Sequence, residues 1–149
     1  MLLTPSPKLP GLDGRKMSKS YGNTIMLSES PADIRAKLKT MVTDPARIRR
    51  DDPGNPDICP VFDLHKVFSS EAVQAAAAAG CRSAKIGCIE CKSWLADAIV
   101  ERIAPIQAHR RDLEHRPQVI KDVLANGCTR ATKRAQQTLE EVQLAMGLA

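Results

Sequence analysis

The chain has 149 residues, of which 43% are hydrophobic, 26% charged and 3% aromatic, and it carries a formal net charge of +5. That is enough for one modest domain with a core of its own, and no apolar run reaches the length that a bilayer crossing needs. Met1-Leu2-Leu3 is followed at once by prolines, which excludes a signal-peptide core and makes the cytoplasm the expected compartment.

Charge is unevenly spread. Residues 1–50 hold ten Lys and Arg against four Asp and Glu, residues 51–100 four against seven, and residues 101–149 eight against six. A basic first third suits a polyanionic ligand such as a nucleotide or RNA, and it is also compatible with ordinary solvated surface. Val, Ile, Thr, Tyr and Phe never alternate in runs, while Ala, Leu, Glu, Lys and Arg dominate the second half. The balance favours helices over sheet.

Residues 1–15, with three prolines and two glycines, read as extended chain and loop. Ser30-Pro31-Ala32-Asp33 is a helix start: a hydroxyl for the first amides, a proline at the first position, and an acid at the positive helix end. Ile34, Leu38, Met41 and Val42 then share a face, and Asp44-Pro45 ends the element. Residues 44–57, with Asp51-Asp52-Pro53-Gly54-Asn55-Pro56, form a turn-rich connection. A helix from Pro60 should bury Val61, Leu64 and Phe68, and another should run from Ser70 to Gly80. From Cys88 a stripe of Leu95, Ile99, Ile103 and Ile106 marks a longer helix, which Pro105 should kink. Pro117 opens a helix burying Val119, Val123 and Leu124 that stops at Asn126-Gly127. A last helix, from Thr129 to Met146, carries a seam of Ala131, Ala135, Leu139, Val142 and Met146, with Gly147 as its cap. The expected fold is mainly α: an irregular strip over residues 1–29, then a helical bundle over 30–149.

Two motifs carry chemistry. In Gly14-Arg15-Lys16-Met17-Ser18-Lys19-Ser20-Tyr21-Gly22-Asn23, two lysines three apart sit in a glycine-flanked loop with serine hydroxyls. Such a loop can aim ammonium groups and backbone amides at phosphate oxygens, and it can equally be a flexible basic surface loop. The second motif is Cys59, Cys81, Cys88 and Cys91, spaced C-x21-C-x6-C-x2-C. Cys88 and Cys91 open a helix whose N-terminus favours thiolate. The spacing fits no common zinc ribbon. A four-cysteine zinc site and buried small hydrophobic thiols both remain open. The fifth cysteine, Cys128, is expected to pack.

Lys16-Met17-Ser18-Lys19-Ser20 is identical to the KMSKS signature of class I aminoacyl-tRNA synthetases. The lead-in Lys8 to Arg15, the continuation Tyr21-Gly22-Asn23 and the string from Thr43 to Asp57 resemble the bacterial tryptophanyl branch, and the resemblance extends through Gly147. It implies that Lys16 and Lys19 neutralise charge growing on the ATP phosphates, that Met17 offers backbone groups near the adenine, and that Ser18 contacts phosphate or ribose. It implies ATP with Mg2+, tryptophan and tRNA(Trp) as ligands, no membrane, and a homodimer for the full-length protein. Some members carry a 4Fe-4S cluster on a similar cysteine pattern whose first gap is one residue longer. The resemblance thus assigns Cys59, Cys81, Cys88 and Cys91 to a cluster, with zinc as the alternative. No His-X-Gly-His string and no βαβ unit of a Rossmann sheet occur here. The expectation is therefore the C-terminal portion of the ligase, inactive alone, with the tryptophan pocket in a missing N-terminal part.

Arg47, Arg49 and Arg50 in the proline-rich connection, Arg82, and Arg130, Lys133 and Arg134 on the last helix are candidates for RNA contact. For the arginine loop the competing reading is pairing with Asp51 and Asp52. Trp94 reads as core packing, and His65 and His109 as structural or solvent-facing residues. The alternative function is a non-catalytic tRNA-binding or iron–sulfur module derived from the synthetase.

Overall fold

A computed structural model describes residues 8–148. Among them are five α-helices and no strand: α1 (Pro31–Thr40), α2 (Pro60–Phe68), α3 (Glu71–Arg82), α4 (Cys88–Glu114) and α5 (Pro117–Ala145). Two compact units are distinguished, one running to Gln107 and the other starting at Ala108.

In the first unit the helix starts are chemically specified. Ser30 Oγ accepts from the Asp33 amide at 3.1 Å, with Pro31 at the first position of α1. Ser70 caps α3 in the same way through the Val73 amide. Such caps contribute about 1 kcal/mol each. The core gathers Ile34, Leu38 and Met41 with Val61 and Leu64 of α2 and Leu95, Ala96, Ile99 and Ile103 of α4. Phe68 packs partly buried against it. α3 sits beside α2, and Gly80 takes the close approach of Ile86: a Cβ there would lie 2.9 Å from the Ile86 side chain.

Three sequence expectations fail in this unit. α1 stops at Thr40, so Val42 falls beyond the helix and is 43% exposed. α3 continues two residues past Gly80, because that glycine keeps helical backbone. Ile106, the last residue of the α4 stripe, is exposed, while α4 runs through Pro105 to Glu114.

In the second unit α5 is one unbroken helix of 29 residues. Gly127 does not adopt the left-handed backbone that a stop requires, so no second helix begins at Thr129. Val119, Val123, Leu124, Leu139 and Val142 are all exposed, against the expectation of burial, and so is Cys128. The helix ends as expected at Gly147, whose positive φ lets its amide reach Leu144 O at 3.1 Å. No helix among the described residues is long and apolar enough to cross a membrane.

Candidate functional site

The lysine loop is a closed ring of short-range hydrogen bonds. Pro10 and Lys16 form an antiparallel bridge, Gly11 N donates to Arg15 O at 2.6 Å, and Met17 N donates to Leu9 O at 2.9 Å. Gly14 turns the tip with φ +78°, where an L side chain is strained. The pin of the ring is Asn23, which is 4% exposed. Its Nδ2 donates to Asp13 Oδ1 at 2.7 Å and to Lys16 O at 3.2 Å, and its Oδ1 accepts from Ser18 N at 2.8 Å. Gly11 makes room for it, since a Cβ there would lie 2.3 Å from Asn23 Nδ2. The Asn23 amide, helped by Arg15, holds the Asp13 carboxyl below its ordinary pKa. Arg15 also lies over the Tyr21 ring at 4.6 Å.

Lys16 and Lys19 are both exposed, and neither has a carboxylate partner among the described residues. Lys19 begins a short 3-10 turn, Lys19–Tyr21, closed by Gly22 with φ +65°. The amides of Met17 and Ser18 are already engaged, so what these residues still present is carbonyl, thioether and hydroxyl. The ring therefore displays two mobile cations on a backbone frame that is already in place. In the sequence Asn23 stands out only as part of a string. Its structural role rests on side-chain contacts up to ten residues away, which spacing does not reveal.

The four cysteines come from three places: Cys59 before α2, Cys81 near the end of α3, and Cys88 and Cys91 in the first turn of α4. Cys59 is buried and the other three are half-buried. They are electrostatic neighbours: burial first, then Cys59, Cys81 and Cys88, push the Cys91 thiol up to about 12. Burial also raises Cys81, against the pull of Arg47, whose Nη1 stands 3.8 Å from its Sγ. The Cys91 thiol thus resists ionisation, opposite to the helix-N-terminus expectation, because burial disfavours its thiolate. Among the described residues no three His, Cys, Asp or Glu side chains converge as the ligands of a single metal ion would.

Around the thiols, His65 is fully buried, with Nδ1 2.7 Å from Ser69 Oγ and Nε2 3.2 Å from Cys91 O, and burial lowers its pKa. It is structural, as expected. Arg47 is buried, and its Nη2 donates to Arg50 O at 2.6 Å and to Ile86 O at 2.7 Å, so it ties the connection to the start of α4. It is not presented for RNA in the way its sequence position suggested. Arg82 pairs with Asp57 at 3.2 Å. Arg49 and Arg50 are exposed, and Asp52 accepts from the Arg49 backbone amide at 2.6 Å, not from its side chain. Arg130, Lys133 and Arg134 are exposed on α5.

The family model described as class I tRNA synthetases (W and Y) matches residues 1–104. The chain belongs to this synthetase family. It is similar to the tryptophan–tRNA ligases of Ralstonia nicotianae (47% identity, 99% of this chain, 37% of that protein), Aquifex aeolicus (45%, 99% and 38%) and Thermotoga maritima (45%, 99% and 45%). It is also similar in structure to Campylobacter jejuni tryptophanyl-tRNA synthetase complexed with ADP and tryptophan, with a TM-score of 0.81 and 28% identity over 95% of this chain and 44% of that one. The chain thus spans less than half the length of these synthetases.

Proposed function

We propose that this chain is the KMSKS-bearing, anticodon-facing part of a tryptophan–tRNA ligase. The observation that carries the reading is the ring pinned by Asn23, on which Lys16 and Lys19 are exposed and, among the described residues, without acidic partners. In the ligase reaction the tryptophan carboxylate attacks the α-phosphate of ATP and pyrophosphate leaves. Negative charge grows on the bridging and non-bridging oxygens as that bond breaks. Lys19 and Lys16 supply positive charge to those oxygens, and magnesium arrives with ATP as part of the substrate. A donor aimed at developing charge contributes about 3–4 kcal/mol, or 100- to 1,000-fold in rate. The tryptophanyl identity of the relatives supports tryptophan and tRNA(Trp) as the other substrates, with the tryptophan pocket outside this chain.

The family resemblance of the C-x21-C-x6-C-x2-C spacing supports a 4Fe-4S cluster as the occupant of the cysteines, with zinc as the alternative. Four thiols from three elements lie near enough for Cys59, Cys81 and Cys88 to raise the Cys91 thiol. Arg47 beside Cys81 and the buried Lys92 offset the charge that four thiolates bring. Cys59, Cys81, Cys88 and Cys91 would hold the cluster, which would supply a covalent tie between the starts of α2 and α4.

The test is a chimera. This chain replaces its counterpart in the Ralstonia nicotianae ligase, and tryptophan-dependent ATP–pyrophosphate exchange is measured. An active chimera whose kcat falls about 100- to 1,000-fold with Lys19→Ala supports the reading. A folded but inactive chimera, or a Lys19→Ala variant at full activity, removes it.

A further inference from the structure

Past Asn23 the lysine ring runs into a strap, residues 24–29, that leads to α1. Among the described residues the strap makes one backbone–backbone hydrogen bond, a turn from Glu29 N to Met26 O at 3.1 Å. Backbone carbonyls without backbone partners need other donors, and here long side chains of two helices supply them. Lys37 of α1 donates through Nζ to Thr24 O at 3.0 Å. Gln107 of α4 donates through Nε2 to Leu27 O at 2.9 Å and to Glu29 O at 2.8 Å.

Two features single out Lys37. The first is where it acts. Gln107 holds the far end of the strap, whereas Thr24 follows Asn23 directly, and Asn23 in turn holds Lys16 O and Ser18 N. One peptide bond therefore separates the residue that Lys37 ties to α1 from the residue that pins the lysine-bearing segment. The second is a buried acid. The Glu29 side chain is 15% exposed, and its Oε1 accepts from Lys37 Nζ. Its Oε2 is buried and has no hydrogen-bond partner among the described residues. A buried carboxylate with one oxygen unsatisfied depends on its cation, and removing that cation strands the charge. Lys37 is the one cation paired with Glu29 among the described residues. The acid thus anchors the ammonium at the spot from which it reaches Thr24 O.

We propose that Lys37 is a positioning residue for the transfer step. It fixes Thr24, and through it Asn23, against α1, and so sets where Lys16 and Lys19 meet the ATP phosphates. The inference deepens the proposed ligase function by naming the residue that registers the ring on the helical body, and it rests on that reading. Lys37 touches neither substrate nor reacting atoms in this role. Its effect is geometric, and a misplacement of about 1 Å at the chemistry costs on the order of 100-fold in rate.

Lys37→Met alone strands the Glu29 carboxylate and can unfold the chain, so the test pairs it with Glu29→Gln, which removes the buried charge. The variants are placed in the chimera with the Ralstonia nicotianae ligase, and thermal melting and tryptophan-dependent ATP–pyrophosphate exchange are measured. Glu29→Gln/Lys37→Met should melt close to the parent, while its kcat falls about 10- to 100-fold and its KM for tryptophan stays unchanged. Glu29→Gln alone keeps the donor to Thr24 O and should keep most of the parent kcat. Lys37→Arg, which can still donate to both Thr24 O and Glu29, should restore it. A parent-like kcat in the folded double variant overturns the inference. So does a loss in Glu29→Gln as large as in the double variant, since that traces the effect to the acid and not to Thr24. A second readout needs no activity. In the 149-residue chain with the double substitution, the Ser18 amide should lose hydrogen-exchange protection while the α2 amides keep theirs, and unchanged protection at Ser18 overturns the inference. The ligase reading fails differently, through an inactive parent chimera or a Lys19→Ala variant at full activity. A failure of the Lys37 inference leaves the parent chimera active and dependent on Lys19.

Discussion

Asn23 and Asp13 are joined side chain to side chain at 2.7 Å across the mouth of the lysine loop, and the same amide group of Asn23 also caps the Ser18 backbone. The pair converts a stretch of glycines, serines and lysines into a defined ring. The stability of that ring, and of the packing around it, can be probed one residue at a time.

Asn23→Ala should loosen the ring without unfolding the helices. Removing the buried amide leaves its partners unsatisfied, at a cost of about 1–3 kcal/mol. Amide hydrogen exchange is the measurement: Met17 and Ser18 should lose protection while the α1 and α2 amides keep theirs. Unchanged protection at Ser18 would show that the ring does not depend on Asn23.

Asp13 titrates below its ordinary value because it accepts from Asn23 first and from Arg15 next. A carboxyl whose pKa is depressed on folding adds stability that is present above the unfolded pKa and is lost as pH falls through the lowered value. Ring order should therefore persist at neutral pH and decline only below the ordinary carboxylate range. Asn23→Ala should move the Asp13 midpoint upward, as followed by carboxyl NMR.

Gly11→Ala should act through Asn23, because the new Cβ would lie 2.3 Å from its Nδ2 and 2.8 Å from its carbonyl oxygen. A double-mutant cycle with Asn23→Ala, read by the same exchange protection, should be strongly non-additive. Additive effects would mean that the glycine serves some other neighbour.

Arg47→Ala removes a buried guanidinium that donates to Arg50 O and Ile86 O. Urea denaturation should show a destabilisation of about 2–4 kcal/mol, from two charge-assisted bonds and two carbonyls left buried. Arg49→Ala, at an exposed neighbouring position, should change stability by less than about 0.5 kcal/mol. Equal effects would contradict the division between a structural and a presented arginine.

Much of the fold was legible because its signals are local. Ser30 and Ser70 caps, Pro31, Pro60 and Pro117 at helix starts, and Gly147 at a stop each act within a turn of the chain. The failures share the opposite character. Val119, Val123 and Leu124 have helical spacing, but spacing says that a face is apolar and not that anything in this chain covers it. Gly127 looked like a stop because glycine is common there. Yet glycine inside a helix costs only about 1 kcal/mol relative to alanine, and the residues on either side propagate the helix through it. In the candidate site the lysines and cysteines announced themselves by type and spacing. Asn23 and the structural use of Arg47 did not, since both depend on which carbonyls fold back to meet them.

The ring also has an attachment that is one-sided. Leu12 O accepts from Val42 N at 2.9 Å, and Gly14 rests on Val42 and Pro60, with a Cβ there 3.2 and 3.3 Å from their side chains. The half from Gly11 to Gly14 is thereby bolted to the helical body, while among the described residues the half bearing Lys16 and Lys19 is hydrogen-bonded only within the ring. Mechanically this is a foot and a flap. A swing of the lysines about Asp13 and Asn23 would leave the helices behind the foot in place.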